Sequence, residues 1–201
     1  MEKYKKLLQE FLNTPLDSGD QIFERFASLP GAVVGKGGKP LERYVYIPGK
    51  RKDRVVLVTH IDTIWDKAYD KAYSGDRDVR YNEGIFSSSN SNCGIGADDR
   101  VGCAMLWELK GSGHSILITD GEEKGKVGAW YLRKSNKQLF RELNKHCYMM
   151  ELDWKGTNCC LFNQVDNTKK FKHQIENVLG LPTARQKAER ILLCFAGEFA
   201  V

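Results

Sequence analysis

Arg54-Val55-Val56-Leu57-Val58-Thr59-His60-Ile61-Asp62-Thr63 is the stretch on which the fold turns. Its continuous β-branched and aliphatic run reads as a buried strand, and the run ends on a histidine and a carboxylate. The same arrangement recurs downstream. Ser115-Ile116-Leu117-Ile118-Thr119 leads into Asp120-Gly121-Glu122-Glu123, and Cys147-Tyr148-Met149-Met150 leads into Glu151-Leu152-Asp153. Between these strands, Val101, Ala104, Met105 and Leu109 mark a helix, and Val127, Trp130, Tyr131 and Leu132 mark another. Strand, helix, strand, helix, strand is the order of an α/β fold, a mainly parallel or mixed sheet flanked by helices.

Upstream, Tyr4, Leu7, Leu8, Phe11 and Leu12 follow helical spacing, and Ile22, Phe23, Phe26 and Ala27 suggest a second short helix after Asp17-Ser18-Gly19-Asp20. Both are packing helices without chemistry. Gly31 to Gly38 punctuates the chain before the strand-like Tyr44-Val45-Tyr46-Ile47-Pro48. That run and residues 54–60 are expected to form a hairpin or an adjacent strand pair, with Lys50-Arg51-Lys52-Asp53-Arg54 as a polar hairpin turn. Residues 64–92 lack clean periodicity and read equally as a lid on the substrate side or as a surface excursion with some strand content.

The 201 residues suit one domain with a substantial core, and 41% hydrophobic with 28% charged residues is ordinary for a globular protein. The net charge of +5 comes from 31 basic and 26 acidic residues that are scattered rather than gathered with aromatics, which argues against a nucleic-acid groove. Six cysteines (Cys93, Cys103, Cys147, Cys159, Cys160, Cys194) include no Cys-x-x-Cys pair and read as reduced, mostly structural thiols. The first residues start a charged amphipathic helix rather than a signal peptide, and no apolar run approaches a membrane span, so the cytoplasm is the expected compartment.

Ligand sites of open α/β sheets gather at the carboxyl ends of strands, where His60, Glu122, Glu123 and Asp153 would fall. Imidazole nitrogen and carboxylate oxygen suit a divalent cation, and a catalytic ion also needs a free carboxylate to handle the proton of water. Asp62 is spaced to orient His60, and two adjacent glutamates can divide the labour of ligand and general base. Singly, each feature has a plainer explanation: a hydrogen-bonded histidine, a solvated Glu-Glu turn, or Asp98-Asp99 capping the next helix. Together they point to a hydrolytic metal site. A nucleotide-binding alternative fails because Gly35-Lys36-Gly37-Gly38-Lys39-Pro40 lacks the Walker spacing and reads as a turn.

These residues resemble the co-catalytic dizinc exopeptidases, the superfamily of zinc aminopeptidases, tripeptidases and glutamate carboxypeptidases. The motifs Val58-Thr59-His60-Ile61-Asp62-Thr63, Gly96-Ala97-Asp98-Asp99-Arg100-Val101-Gly102, Asp120-Gly121-Glu122-Glu123 and Glu151-Leu152-Asp153 match in order, across roughly residues 40–155. The resemblance implies the zinc-exopeptidase-like (phosphorylase/hydrolase-like) fold and hydrolysis of amide bonds in peptides or N-acyl amino acids. It implies that His60 and Asp153 hold one zinc, Asp98 bridges two and Glu123 belongs to the second. Glu122 is then the general acid and base, Asp62 orients His60, and Asp99 supports the loop. The family uses two ions, and one or two are expected here; cobalt and manganese suit the same ligands.

The family completes its second site with a histidine far toward the C-terminus. Here His173 reads as a helix-surface residue, His114 as a loop residue, and His146 precedes a strand. The tail from Ala184 to Val201 lacks the expected small-residue loop. The expectation is therefore a single metallopeptidase-like domain over residues 1–201, truncated before its C-terminal elements, with a non-catalytic scaffold that binds metal or peptide as the alternative. A homodimer is one way to cover the sheet edge that truncation exposes.

Overall fold

The computed structural model describes residues 2–66, 77–146 and 148–153, together with the backbone of short strands at 160–162, 183–185 and 192–193. Its elements are α1 (Glu2–Leu12), α2 (Asp20–Ala27), β1 (Val33–Lys36), β2 (Arg43–Ile47), β3 (Val55–His60), β4 (Val79–Asn82), β5 (Ile85–Ser88), α3 (Ala97–Leu109), β6 (Ser115–Thr119), α4 (Val127–Ser135), α5 (Lys137–Leu143), β7 (Tyr148–Glu151), β8 (Cys160–Phe162), β9 (Thr183–Arg185) and β10 (Leu192–Leu193). The main sheet runs β1-β2-β6-β3-β7-β10-β8-β9. β3 is parallel to both β6 and β7, whereas β1 and β2 are antiparallel, so the sheet is mixed.

The apolar runs are continuous because both faces of the sheet are covered. Val45, Leu57, Ile116 and Ile118 pack with Phe11, Phe23, Phe26 and Leu106 of the helices α1, α2 and α3. The alternate residues Tyr44, Tyr46, Val56, Val58 and Leu117 pack with Leu132 of α4 and Leu139 and Leu143 of α5. Every residue of β6 is buried, as the centre of a three-layer sandwich demands. Of the N-terminal helical positions, Leu8, Phe11, Leu12, Ile22, Phe23 and Phe26 are buried as expected, while Tyr4 is exposed.

The strand order corrects one sequence expectation. β2 and β3 are not a hairpin, because β6 lies between them, with Val45 opposite Ile118 and Val58 opposite Leu117. An all-apolar strand is stabilised most by partners on both edges, and β6 takes that position. The Lys50–Arg54 segment therefore crosses the entry to β6 instead of turning a hairpin. The Lys50 and Arg51 amides donate to Gly113 O at 2.8 and 3.1 Å, and the Gly49 amide donates to Ser115 Oγ at 3.0 Å. The Gly31–Gly38 stretch likewise contains β1, paired in register from Val33–Tyr46 to Lys36–Arg43.

Within residues 64–92, β4 and β5 form a separate hairpin turned at Glu83 and Gly84, both at positive φ (47° and 89°). Gln9 Nε2 donates to Val79 O at 2.9 Å and the Val79 amide donates to Asn13 Oδ1 at 2.7 Å, which fastens the hairpin to α1 and the residues after it. Cys93 and Cys103 are free and buried. His173 lies outside the described residues, as does the C-terminal tail apart from the backbone of β9 and β10. Among the described residues, no helix is long and apolar enough to cross a membrane.

Candidate metal centre

Parallel β3, β6 and β7 end side by side, with His60 in register with Thr119 and Val58 with Glu151. This pairing brings the His60 turn, the Asp120–Glu123 loop and Asp153 to one edge of the sheet, and α3 starts there with Asp98. His60 Nε2 lies 3.0 Å from Asp98 Oδ1 and 3.8 Å from Asp153 Oδ2. Donor atoms about 2.1 Å from a tetrahedral ion stand roughly 3.4 Å apart, so these separations bracket what one divalent cation needs. His60, Asp98 and Asp153 form a candidate metal site in which the ligand atoms all lie within 4.8 Å of one another. The His60 side chain is 1% exposed and Asp98 is 66% exposed, which gives a ligand set anchored in the core and open on one side.

The other imidazole nitrogen fixes the tautomer. His60 Nδ1 lies 3.1 Å from Asp62 O and 3.2 Å from Asp62 Oδ1, so it donates there; without a cation Nε2 carries a proton to Asp98 as well, and a bound cation would take the place of that proton. Burial works against charge on His60, yet its hydrogen bonds to Asp62 and Asp98 and the nearby Asp99 hold its pKa well above the usual value. The hydrogen bond from His60 lowers Asp98. Burial pushes Asp153 up to about 7 against the pull of His60, with Asp98, Glu151 and Glu122 adding to the rise. Glu123 is raised by burial and by Asp98. Crowded carboxylates around one imidazole are a donor set that a cation relieves.

Asp62 has no exposed side-chain surface. Besides His60, it accepts from the Glu122 amide at 3.0 Å and the Glu123 amide at 3.1 Å, so one carboxylate fixes the imidazole and the Glu-Glu loop together. Gly121 permits that loop: its φ is 68°, and a Cβ there would lie 2.8 Å from Val127 Cβ and 2.9 Å from Leu41 Cβ. Asp99 is not part of the three-residue group. It accepts from the Thr59 hydroxyl and, at 2.9 Å, from the Gly102 amide, capping the helical part of α3. The Asp98–Asp99 peptide is cis.

His60, Asp98 and Asp153 are thus brought together. Glu123 stands outside that three-residue group, and Glu122 and Glu123 are tied to it through Asp62. His114 and His146 lie at the opposite end of the strands, where His146 Nε2 is 2.9 Å from Ser115 Oγ. Sequence reasoning gave no role to Arg100, whose fully buried guanidinium donates to Ile61 O at 2.5 Å, Pro15 O at 2.8 Å and Ser18 O at 3.2 Å. It also missed Thr59 and the Arg43–Asp120 pair, in which Arg43 Nε donates to Asp120 Oδ2 at 2.5 Å. The positions of Arg100 in the Asp98-Asp99-Arg100 motif and of Asp120 in the Asp120-Gly121-Glu122-Glu123 motif were the available signals; Arg43 carried none.

No sequence-family profile matches the chain, and no curated protein matches it at the sequence level. Solved structures do match. Aminopeptidase PepT from Bacillus cereus superposes with a TM-score of 0.53 at 20% identity, over 80% of this chain and 46% of that one. The chain shares the fold of this peptidase, a mixed sheet with flanking helices. A tripeptidase from Staphylococcus aureus gives 0.52 at 17% identity over 80% and 45% of the two chains. Aminoacylhistidine dipeptidase from Vibrio alginolyticus gives 0.54 at 17% identity over 80% and 34%. The chain spans less than half the length of each of these peptidases.

Proposed function

We propose that the chain is a zinc-dependent exopeptidase-like hydrolase acting on amide bonds of peptides or N-acyl amino acids. The observation that carries this reading is the convergence of His60 Nε2 with the Asp98 and Asp153 carboxylates at the open end of the sheet. The Glu122-Glu123 loop is held against that group by Asp62. His60, Asp98 and Asp153 would hold one ion, and Asp98 with Glu123 would contribute to a second. When bound, the metal supplies Lewis acidity toward water and the scissile carbonyl. Glu122 takes the proton of the attacking water as the carbon–oxygen bond forms, and returns it to the amine as the carbon–nitrogen bond breaks. Asp62 keeps the His60 Nδ1 proton in place throughout. The cytoplasm as compartment and a homodimer as assembly accompany this proposal.

Because Glu123 stands outside the three-residue group, a second reading is a non-catalytic relative that retains a metal- or peptide-binding scaffold. Steady-state hydrolysis of aminoacyl and N-acyl substrates by protein loaded with zinc, cobalt or manganese separates the two. Turnover that Glu122→Gln abolishes while metal stays bound supports the enzyme. Metal binding without turnover under any loading supports the scaffold.

A further inference from the structure

Arg100 is 1% exposed, and among the described residues its guanidinium bonds only to main-chain carbonyls. Nη1 donates to Ile61 O, Nη2 donates to Pro15 O and Ser18 O, and Nε is buried without a partner. A buried cation that meets only neutral acceptors is costly, and leucine or methionine would fill the same space without that cost. What arginine adds is a planar fork that holds two sets of acceptors in one fixed arrangement. The acceptors belong to two segments. Ile61 stands between His60 and the Asp62 that orients it, and its amide donates to Thr119 O at 3.0 Å, so the bond from Arg100 fixes the peptide group on its other side. The 15–18 segment lies against the same turn: Thr63 Oγ1 donates to Leu16 O at 3.0 Å, a Cβ on Gly96 would overlap Leu16 Cδ2, and a Cβ on Gly19 would lie 3.0 Å from Ile61 Cδ1. Arg100 itself is two residues past Asp98, and its amide donates to Gly96 O at 3.2 Å. One side chain therefore ties the strand end that bears His60 to the helix start that bears Asp98, with the 15–18 segment as its backing.

We propose that Arg100 is a positioning residue for the metal centre, a role that rests on the reading of His60, Asp98 and Asp153 as its ligands. By holding the Ile61 carbonyl, Arg100 sets the separation of His60 Nε2 from Asp98 Oδ1, 3.0 Å here, at which one cation meets both. Asp62 fixes the rotation of the imidazole, and Arg100 fixes where the turn that carries it stands relative to α3. Lysine is no substitute. Its single ammonium on a flexible stem keeps the charge but does not hold Ile61 O and the Pro15 and Ser18 carbonyls as one rigid unit. Through this contact the 15–18 segment, which supplies no ligand, acts on metal affinity.

Cobalt affinity of the full chain, by competition with a chromogenic chelator, and the visible absorption spectrum of the cobalt-loaded protein test this role. Arg100→Lys should weaken cobalt binding about tenfold or more and shift the ligand-field bands, because the donor atoms move apart. Leu139→Ala opens a cavity on the other face of the sheet, and it should lower Tm while leaving affinity and spectrum as in wild type. Circular dichroism establishes that each variant is folded at the temperature of the titration. If Arg100→Lys does not fold, Thr63→Val, which removes the hydroxyl that holds Leu16 O, carries the same test, with an expected weakening of about threefold or more. Wild-type affinity or a wild-type spectrum in the folded variant, or an equal loss of affinity in Leu139→Ala, would overturn the positioning role and leave the centre in place. A wild-type chain that binds no cobalt would overturn the centre itself, and this role with it.

Discussion

Asp62 divides its carboxylate between the His60 imidazole and the amides of Glu122 and Glu123, all within 3.2 Å. An asparagine there would present an amide hydrogen to at least one of these donors. Asp62→Asn should therefore weaken metal binding by about 10- to 100-fold, read by competition with a chromogenic chelator. Glu122 holds no place in the three-residue group, and Glu122→Gln should lower kcat by about 10²- to 10⁴-fold while leaving metal content unchanged. A variant that loses metal would reassign the residue. The pairing of His60 with Asp62 was legible because two residues of spacing imply it. The grip of Asp62 on a loop some 60 residues away was not, since nothing local in either segment records the contact.

At the scale of elements, periodicity and apolar runs gave the position of α1 to α4 and of β3, β6 and β7, because each pattern reports the faces that must be buried. Strand order was hidden, since a buried strand looks the same beside any neighbour; hence β6 between β2 and β3 came only from the fold. Two consequences are measurable. Gly102 lies inside α3, where alanine is ordinarily favoured, but a Cβ there would overlap the Asp99 carboxylate and lie 2.5 Å from Leu152 O. Gly102→Ala should cost about 1–3 kcal/mol in denaturant unfolding instead of stabilising the helix. Asp120, behind the Glu-Glu loop, is raised by burial from 3.8 to about 6, although Arg43 pulls the other way. Between about pH 4 and pH 6 the folded state keeps a proton that the unfolded state has released, so stability falls as pH rises through this window. The stability of wild type relative to Asp120→Asn should drop by about 2 kcal/mol from pH 4 to pH 7. Parallel pH curves for the two proteins would contradict this.

Among the described residues, one candidate centre lies where three parallel strands end, with its histidine anchored in the core and Asp98 at the surface. A cation bound there by the folded chain alone raises stability by mass action, about 2.7 kcal/mol at a hundredfold excess over Kd. For a chain of this size that corresponds to a rise in Tm of about 5–10 °C on adding zinc. The fold and the convergence of His60 and Asp153 were legible at the scale of the chain because their motifs close strands, and strand ends converge in an α/β sheet, whereas Asp98 opens α3 and was placed by the resemblance alone. The most direct measurement is the metal content of purified wild-type protein beside Asp98→Ala, by elemental analysis, with aminoacyl and N-acyl substrates assayed on the same samples. We expect at least one equivalent of a divalent metal with turnover in wild type, and the loss of both in Asp98→Ala. A wild-type protein without bound metal, or a variant that retains it, would contradict the centre built from His60, Asp98 and Asp153.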